Sequence, residues 1–186
     1  MTIYDKGLLK AMQDAYKETG YAVAVTESSI IIQTTFWGVM LNKATVTNSI
    51  KSLIVMHNGE IPKEGTAVNI QKKECGSLIL ETVLSTMEDL AKAYTETGGV
   101  PIKLTRLTFD GLRVWQTTTD LKLRLVDVDN QQILTVSKLD TKLIGRYLYH
   151  RDPLCSVYVL TEYGLPEDRA LIEHLSEMQW IPVELA

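Results

Sequence analysis

The sequence predicts an α+β fold: an antiparallel sheet, made of a hairpin and a meander, packed with two main helices and ending in a βα(β) unit. Three observations predict it. Ile79, Val83, Met87, Leu90 and Tyr94 recur every three or four residues, and Leu80, Leu84 and Ala91 widen the stripe. Glu81, Glu88, Asp89 and Lys92 take the other side, as in a core-facing helix. Asp110-Gly111 stands between two β-rich runs, a strong hairpin signal. Leu121-Lys122-Leu123-Arg124-Leu125 alternates apolar and polar residues, as a strand with one wet face does.

The elements follow in order. Thr2 and Asp5 form a capping box for a first helix, in which Leu8, Met12, Ala15 and Tyr16 recur at helical spacing and which Gly20 ends. Gly7 weakens that helix by about 1 kcal/mol relative to Ala. Tyr21 to Val25 and Ile30 to Trp37 are β-rich runs around a short polar turn, and so predict a hairpin. Ile50, Leu53, Ile54 and His57 predict a short helix that Asn58-Gly59 stops. Residues 58–65 (Asn-Gly-Glu-Ile-Pro-Lys-Glu-Gly) are the clearest loop, and Thr66 to Ile70 a short strand.

The broad-faced helix is expected from about Ser77 to Gly98-Gly99, with Cys75-Gly76-Ser77 as a tight strand-to-helix turn. Ile102 to Phe109, Leu112 to Thr117, Leu121 to Leu125 and Ile133 to Val136 then form a meander. Asp127 to Gln132 is read as a polar turn. At the C-terminus Val157 to Leu160 is a strand, and Gly164-Leu165-Pro166-Glu167-Asp168 opens a helix whose Leu171, Leu175 and Met178 face the core. Trp180 to Val183 is the closing strand, parallel to its partner if both lie in one sheet, and Pro182 places it at an edge.

Residues 1–186 are taken as a single compact domain, with the 58–65 loop marking where a two-part organisation would divide. Ala15-Tyr16-Lys17-Glu18-Thr19-Gly20 resembles Ala93-Tyr94-Thr95-Glu96-Thr97-Gly98, and the same offset sets Trp37 over Trp115, a weak internal similarity. The helix–hairpin–helix–meander order loosely resembles profilin-like α/β domains over about two thirds of the chain. The likeness is of arrangement alone and implies no activity.

Composition bounds the function. The chain has 186 residues, 45% hydrophobic and 23% charged, enough for a core without disulfides or metal. Net charge is -4, charges of both signs are interspersed, and Lys72-Lys73 is the longest basic cluster, so the expected partners include no nucleic acid. No apolar run nears the ~20 residues of a membrane helix, and the N-terminus shows no secretory pattern. The expectation is a cytoplasmic protein without a membrane partner. Two cysteines make no disulfide framework.

Catalytic motifs are few. His57, His150 and His174 show no zinc-ligand spacing, and there is no Gly-x-Ser-x-Gly elbow or phosphate-cradling glycine loop. No cofactor is expected. Cys75, just before the expected helix, is the one cysteine placed for activation by a helix N-terminus. His150-Arg151-Asp152 matches part of the kinase catalytic loop, but Val157 stands where its Asn belongs. Asp127-Val128-Asp129-Asn130 lacks the glycine and glutamate of a calcium loop, with Gln132 and Lys138 in their places. Trp37, Trp115 and Trp180 are expected in the core.

The densest polar cluster is Arg146 to Pro153. Arg146, Tyr149, His150, Arg151 and Asp152 are the candidate binding residues, because Arg pairs oxyanions bidentately and Tyr adds rigid surface. The leading reading is a non-catalytic binding or assembly module that recognises a protein or itself. The alternatives are a small enzyme using Cys75, His57 or His150, and a small-anion sensor built on Arg146 and Arg151.

Overall fold

The computed structural model describes residues 5–134, 141–161 and 169–180. Helix α1 (Asp5–Lys17) turns Leu8, Met12 and Ala15 into the core. Gly20, at φ 82°, lets the chain turn at once into strand β1 (Tyr21–Val25). The Thr2 cap lies outside the described residues.

Strands β2 (Ser29–Gln33) and β3 (Trp37–Asn42) follow. The single strand expected over Ile30 to Trp37 is therefore two. The Thr34 hydroxyl accepts from the N–H groups of Phe36 and Trp37 at 3.1 and 3.3 Å. That local bonding competes with the strand ladder and turns the chain. Helix α2 (Asn48–Asn58) is capped by Thr47, and its stop at Gly59 is the expected one. Strand β4 (Thr66–Ile70) has the predicted bounds.

Cys75 opens a strand, β5 (Cys75–Leu78), paired with β4. The expected helix start at Ser77 is corrected to α3 (Leu80–Thr97), whose N-cap is Ile79. The thiol thus sits on a sheet edge and not at a helix N-terminus. Val83, Met87 and Leu90 are the buried face of α3, and side chains of this kind contribute about 1.5–3 kcal/mol each on full burial.

Strands β6 (Val100–Phe109), β7 (Leu112–Thr117) and β8 (Leu123–Asp127) form the predicted meander, with Asp110-Gly111 as its first turn. The expected polar turn after it is a short helix, α4 (Val128–Gln131). Asp127 Oδ1 caps it, accepting from the N–H groups of Asp129 and Asn130 at 2.7 and 3.1 Å. A 3₁₀ turn, Gln132–Leu134, follows where a strand was expected. The end of that expected strand, Val136, lies outside the described residues.

The polar cluster at Arg146 to Pro153 contains a strand that its composition hid. Strands β9 (Lys142–Ile144), β10 (Tyr147–Arg151) and β11 (Cys155–Leu160) complete the sheet. Helix α5 (Arg169–Leu175) packs Ile172 and Leu175 on Val114, Leu123 and Leu125. Leu171 and Met178 are exposed, against the expectation that they face the core. The expected closing strand is not reached at Trp180, and its remainder, with Pro182, lies outside the described residues.

Eleven strands among the described residues form one sheet in the order β5-β4-β1-β2-β3-β11-β10-β9-β6-β7-β8. Every pairing is antiparallel, including both neighbours of β11, so no parallel βαβ unit is present among these strands. The order β5-β4-β1-β2-β3 recurs as β10-β9-β6-β7-β8, with β11 between the two sets. The helices recur at the same points of the chain, α1 and α3 before the first strand of each set and α2 and α4 between its third and fourth strands, but α1 and α3 lie on opposite faces. α1, α2 and the 3₁₀ turn at 132–134 enclose the main core on one face, with Trp37, Leu53, Ile54, Leu148 and Val157. α3 lies on the other face, over Ala24, Ile31, Tyr149 and Tyr158.

Trp37 and Trp115 are buried, as expected, and Trp180 is half-buried against the β7–β8 face. No helix among the described residues is long and apolar enough to cross a membrane.

Candidate functional site

Strand alternation sorts the polar cluster onto opposite faces. Leu148 and His150 turn toward the main core, and Tyr147, Tyr149 and Arg151 toward α3. Arg146 precedes β10 and Arg151 ends it, roughly 16 Å apart at the usual rise per residue. The Arg146 carbonyl is tied to Thr161, accepting from its N–H at 2.8 Å and its hydroxyl at 2.9 Å. The fold therefore does not bring the two arginines into one site.

It does bring Arg151 and Asp152 together, at the mouth of a groove of about 720 Å³. Ser28, Ser29, Met40 and Asn42 come from β2, β3 and the turn before β2, Ser156 from β11, and Tyr94 and Thr95 from α3. Register explains the convergence, since Arg151 lies opposite Ser156, Ser156 opposite Met40, and Asn42 opposite Ser29. These residues come from four separate segments, and no local motif in the sequence marks them.

Asp152 is committed to the β10–β11 turn. Its Oδ1 accepts from the N–H groups of Leu154 and Cys155 at 2.7 and 2.9 Å, and Oδ2 lies 3.4 Å from the Cys155 thiol. Burial pushes this carboxyl up, but those donors and the nearby His150 outweigh it, so Asp152 titrates below the ordinary aspartate value. His150 is buried, with Nε2 3.7 Å from Asp152 Oδ2. Burial, with Asp152 alongside, pushes the Cys155 thiol up to about 12, which keeps it an un-ionised core residue.

Tyr149 is completely buried, its ring 5.6 Å from that of Tyr94. Its hydroxyl reaches toward Ser156 without closing a hydrogen bond of ordinary geometry, and the Arg151 charge acts on it. Among the described residues no carboxylate pairs with Arg151.

The other candidates lie elsewhere. His57 stacks on Tyr16 and shares a 2.9 Å hydrogen bond with the Tyr21 hydroxyl through Nδ1. Cys75 is exposed, and its sulfur faces the His57 carbonyl at 3.8 Å rather than the imidazole. His57 Nδ1 is thus engaged by Tyr21. A nucleophile–base pair needs the opposite arrangement. Among the described residues no group of three or more His, Cys, Asp or Glu is placed to hold a metal.

The two sheet edges are β5 and β8. All four residues of β5 are exposed, and Leu78 and Ile79 carry apolar side chains into solvent beside it. On β8 the Leu123 N–H is bonded to the Ser176 hydroxyl at 3.2 Å. Beyond that bond, no strand lies along either outer edge among the described residues.

No family model and no curated protein matches this chain. Its fold is similar to solved β-clamp structures. The beta subunit of DNA polymerase III from Thermotoga maritima is 10% identical, with a TM-score of 0.36, covering 90% of this chain and 65% of that one. The beta subunit from the DNA polymerase of Streptococcus pyogenes is 7% identical, with a TM-score of 0.37 and coverage of 90% and 65%. The Helicobacter pylori beta clamp is 9% identical, with a TM-score of 0.37 and coverage of 92% and 66%. The chain thus spans about two thirds of the length of these clamps. At such scores the likeness assigns neither a family nor an activity. The structures matched are clamp subunits and not the profilin-like domains that the element order resembles. The expectation of no nucleic-acid partner is also corrected. It rested on the net charge, the interspersed charge signs and the shortness of the Lys72-Lys73 cluster, and the matched structures are subunits of a DNA polymerase.

Proposed function

We propose that this chain is a non-catalytic, cytoplasmic assembly and binding module that self-associates by joining the β5 edge of one copy to the β8 edge of the next. The observation that carries the reading is β5, an edge strand whose four residues are all exposed and include no proline or charge, ending in apolar Leu78 and followed by exposed Ile79. An unblunted edge is a template for another strand. The strand order supports the same pairing. Inside the chain, β3 of the first set meets the second set through β11, and β8 and β5 are the corresponding ends left over. Joining unlike edges is a heterologous contact, which closes into a ring when the rotation allows. The clamps to which the fold is similar are polymerase subunits, and a polymerase or its DNA template is a partner class consistent with this reading.

Gly76→Lys tests it. A side chain at Gly76 meets no atom within 4 Å, so the variant retains its fold. A lysine on an edge strand opposes pairing. Light scattering coupled to gel filtration is expected to show a defined oligomer for the wild type and a monomer for Gly76→Lys. A wild-type monomer at every concentration, or an unchanged oligomer in the variant, rejects the proposal.

A further inference from the structure

We infer that the groove between α3 and the β10–β11 turn is a binding site for an organic phosphate monoester with a planar or apolar body. The charge belongs to Arg151, which lines the groove and has no carboxylate partner among the described residues. Asp152, the one acid in the lining, spends its carboxylate on the turn amides of Leu154 and Cys155. The second observation is Tyr149. A hydroxyl with no exposed surface and no hydrogen bond is costly unless something satisfies it. The groups that act on it, Ser156, Arg151, Tyr94 and Cys155, all line the groove. Burial raises the Tyr149 phenol, so it remains a donor.

The donor set selects the ligand. Arg151, Ser28, Ser29 and Ser156 line the groove, a set with more donors than the two oxygens of a carboxylate use and suited to a phosphate. The opposite wall has a different character. Tyr94 and Thr95 lie in the last turns of α3, where helix carbonyls disfavour an anion. The phosphate therefore sits on the Arg151–Ser156 side, and the body lies against the Tyr94 ring and Met40. A volume of about 720 Å³ is that of a small-molecule site. This assignment is independent of self-association, because β5 and β8 contribute nothing to the groove.

Phenyl phosphate, inorganic phosphate and phenol are the probes, read by amide chemical-shift perturbation on the full chain. Phenyl phosphate is expected to shift Arg151, Ser156, Ser29 and Thr95, inorganic phosphate to shift the Arg151 side more weakly, and phenol to shift nothing. Arg151→Gln should weaken phenyl phosphate by about tenfold or more, the scale of a charge-assisted bond. Tyr149→Phe should also weaken it while leaving the free protein at least as stable, because an unbonded hydroxyl is removed. A purely structural tyrosine would not show that combination. No shift at the groove with phenyl phosphate, or full binding by Arg151→Gln, overturns the inference.

Discussion

The Tyr16 ring lies flat on the His57 imidazole, with centroids 3.8 Å apart and planes 5° from parallel. Together with the Tyr21 hydroxyl on Nδ1, this joins the end of α2 to α1 and β1. Desolvation holds His57 below its ordinary value of 6.5, so the folded chain takes up a proton at lower pH than the unfolded chain. The contribution to stability is complete above pH 6.5 and is lost as pH falls from there to the folded-state value. Thermal melts across that window should fall more steeply with acid for wild type than for His57→Phe, which retains a stacking ring and cannot titrate. Parallel curves would remove His57 from the pH response.

Gly7 is in helix α1, where alanine ordinarily stabilises by 0.5–1 kcal/mol. Here the sign reverses. A methyl group at Gly7 falls on the Gln132 backbone carbonyl, which belongs to the 3₁₀ turn beneath the helix. Backbone cannot move aside as a side-chain end can, so Gly7→Ala should destabilise by about 1–3 kcal/mol in urea unfolding. A neutral or stabilising result would show that α1 docks differently on this turn.

The sequence was most informative where periodicity and turn chemistry act locally. The α3 stripe, the Asp110-Gly111 turn, the Gly59 stop and the bounds of β4 were all legible. Gly7 was misread as a mere weakness because its reason is a contact with Gln132, far along the chain. β10 was hidden because its outward polar residues resemble a loop, although Leu148, Tyr149 and His150 are buried on its two faces. Cys75 was placed at a helix start because nothing nearby in sequence reveals that β4 is its partner. Of the groove lining, Arg151 and Asp152 are the two residues that composition also singles out. Ser29, Asn42 and Tyr94 join them only through sheet register and the packing of α3, which no local pattern encodes.

Gly38 and Tyr158 face each other across β3 and β11. A Cβ at Gly38 would fall on the Tyr158 ring, whose hydroxyl is anchored to Gln33 Oε1 at 3.2 Å. The ring lies over bare backbone and cannot retreat without losing that bond. Gly38→Ala should cost about 1–3 kcal/mol by overpacking. Adding it to Tyr158→Leu, which vacates the space, should cost less than the sum of the two single changes. A double-mutant cycle by chemical denaturation checks this, and strict additivity would mean that the ring and Gly38 do not compete for one volume.

Asp152 organises the turn that shapes the groove, and its loss should register in both stability and acid response. Asp152→Ala leaves the Leu154 and Cys155 amides without their acceptor, at a cost of about 1–3 kcal/mol when such groups stay shielded. The wild-type carboxyl titrates below its ordinary value of 3.8, so its contribution is present above that pH and disappears as acid protonates the folded form. The stability difference between wild type and Asp152→Ala, measured by urea unfolding, should therefore be largest near neutrality and shrink below pH 3.8. Asp152→Asn separates charge from geometry, because an amide oxygen still accepts from both N–H groups. It should recover part of the neutral-pH stability while showing no acid-dependent loss of its own. If Asp152→Asn is as unstable as Asp152→Ala at neutral pH, the ionised charge rather than the turn bonds maintains this corner of the sheet.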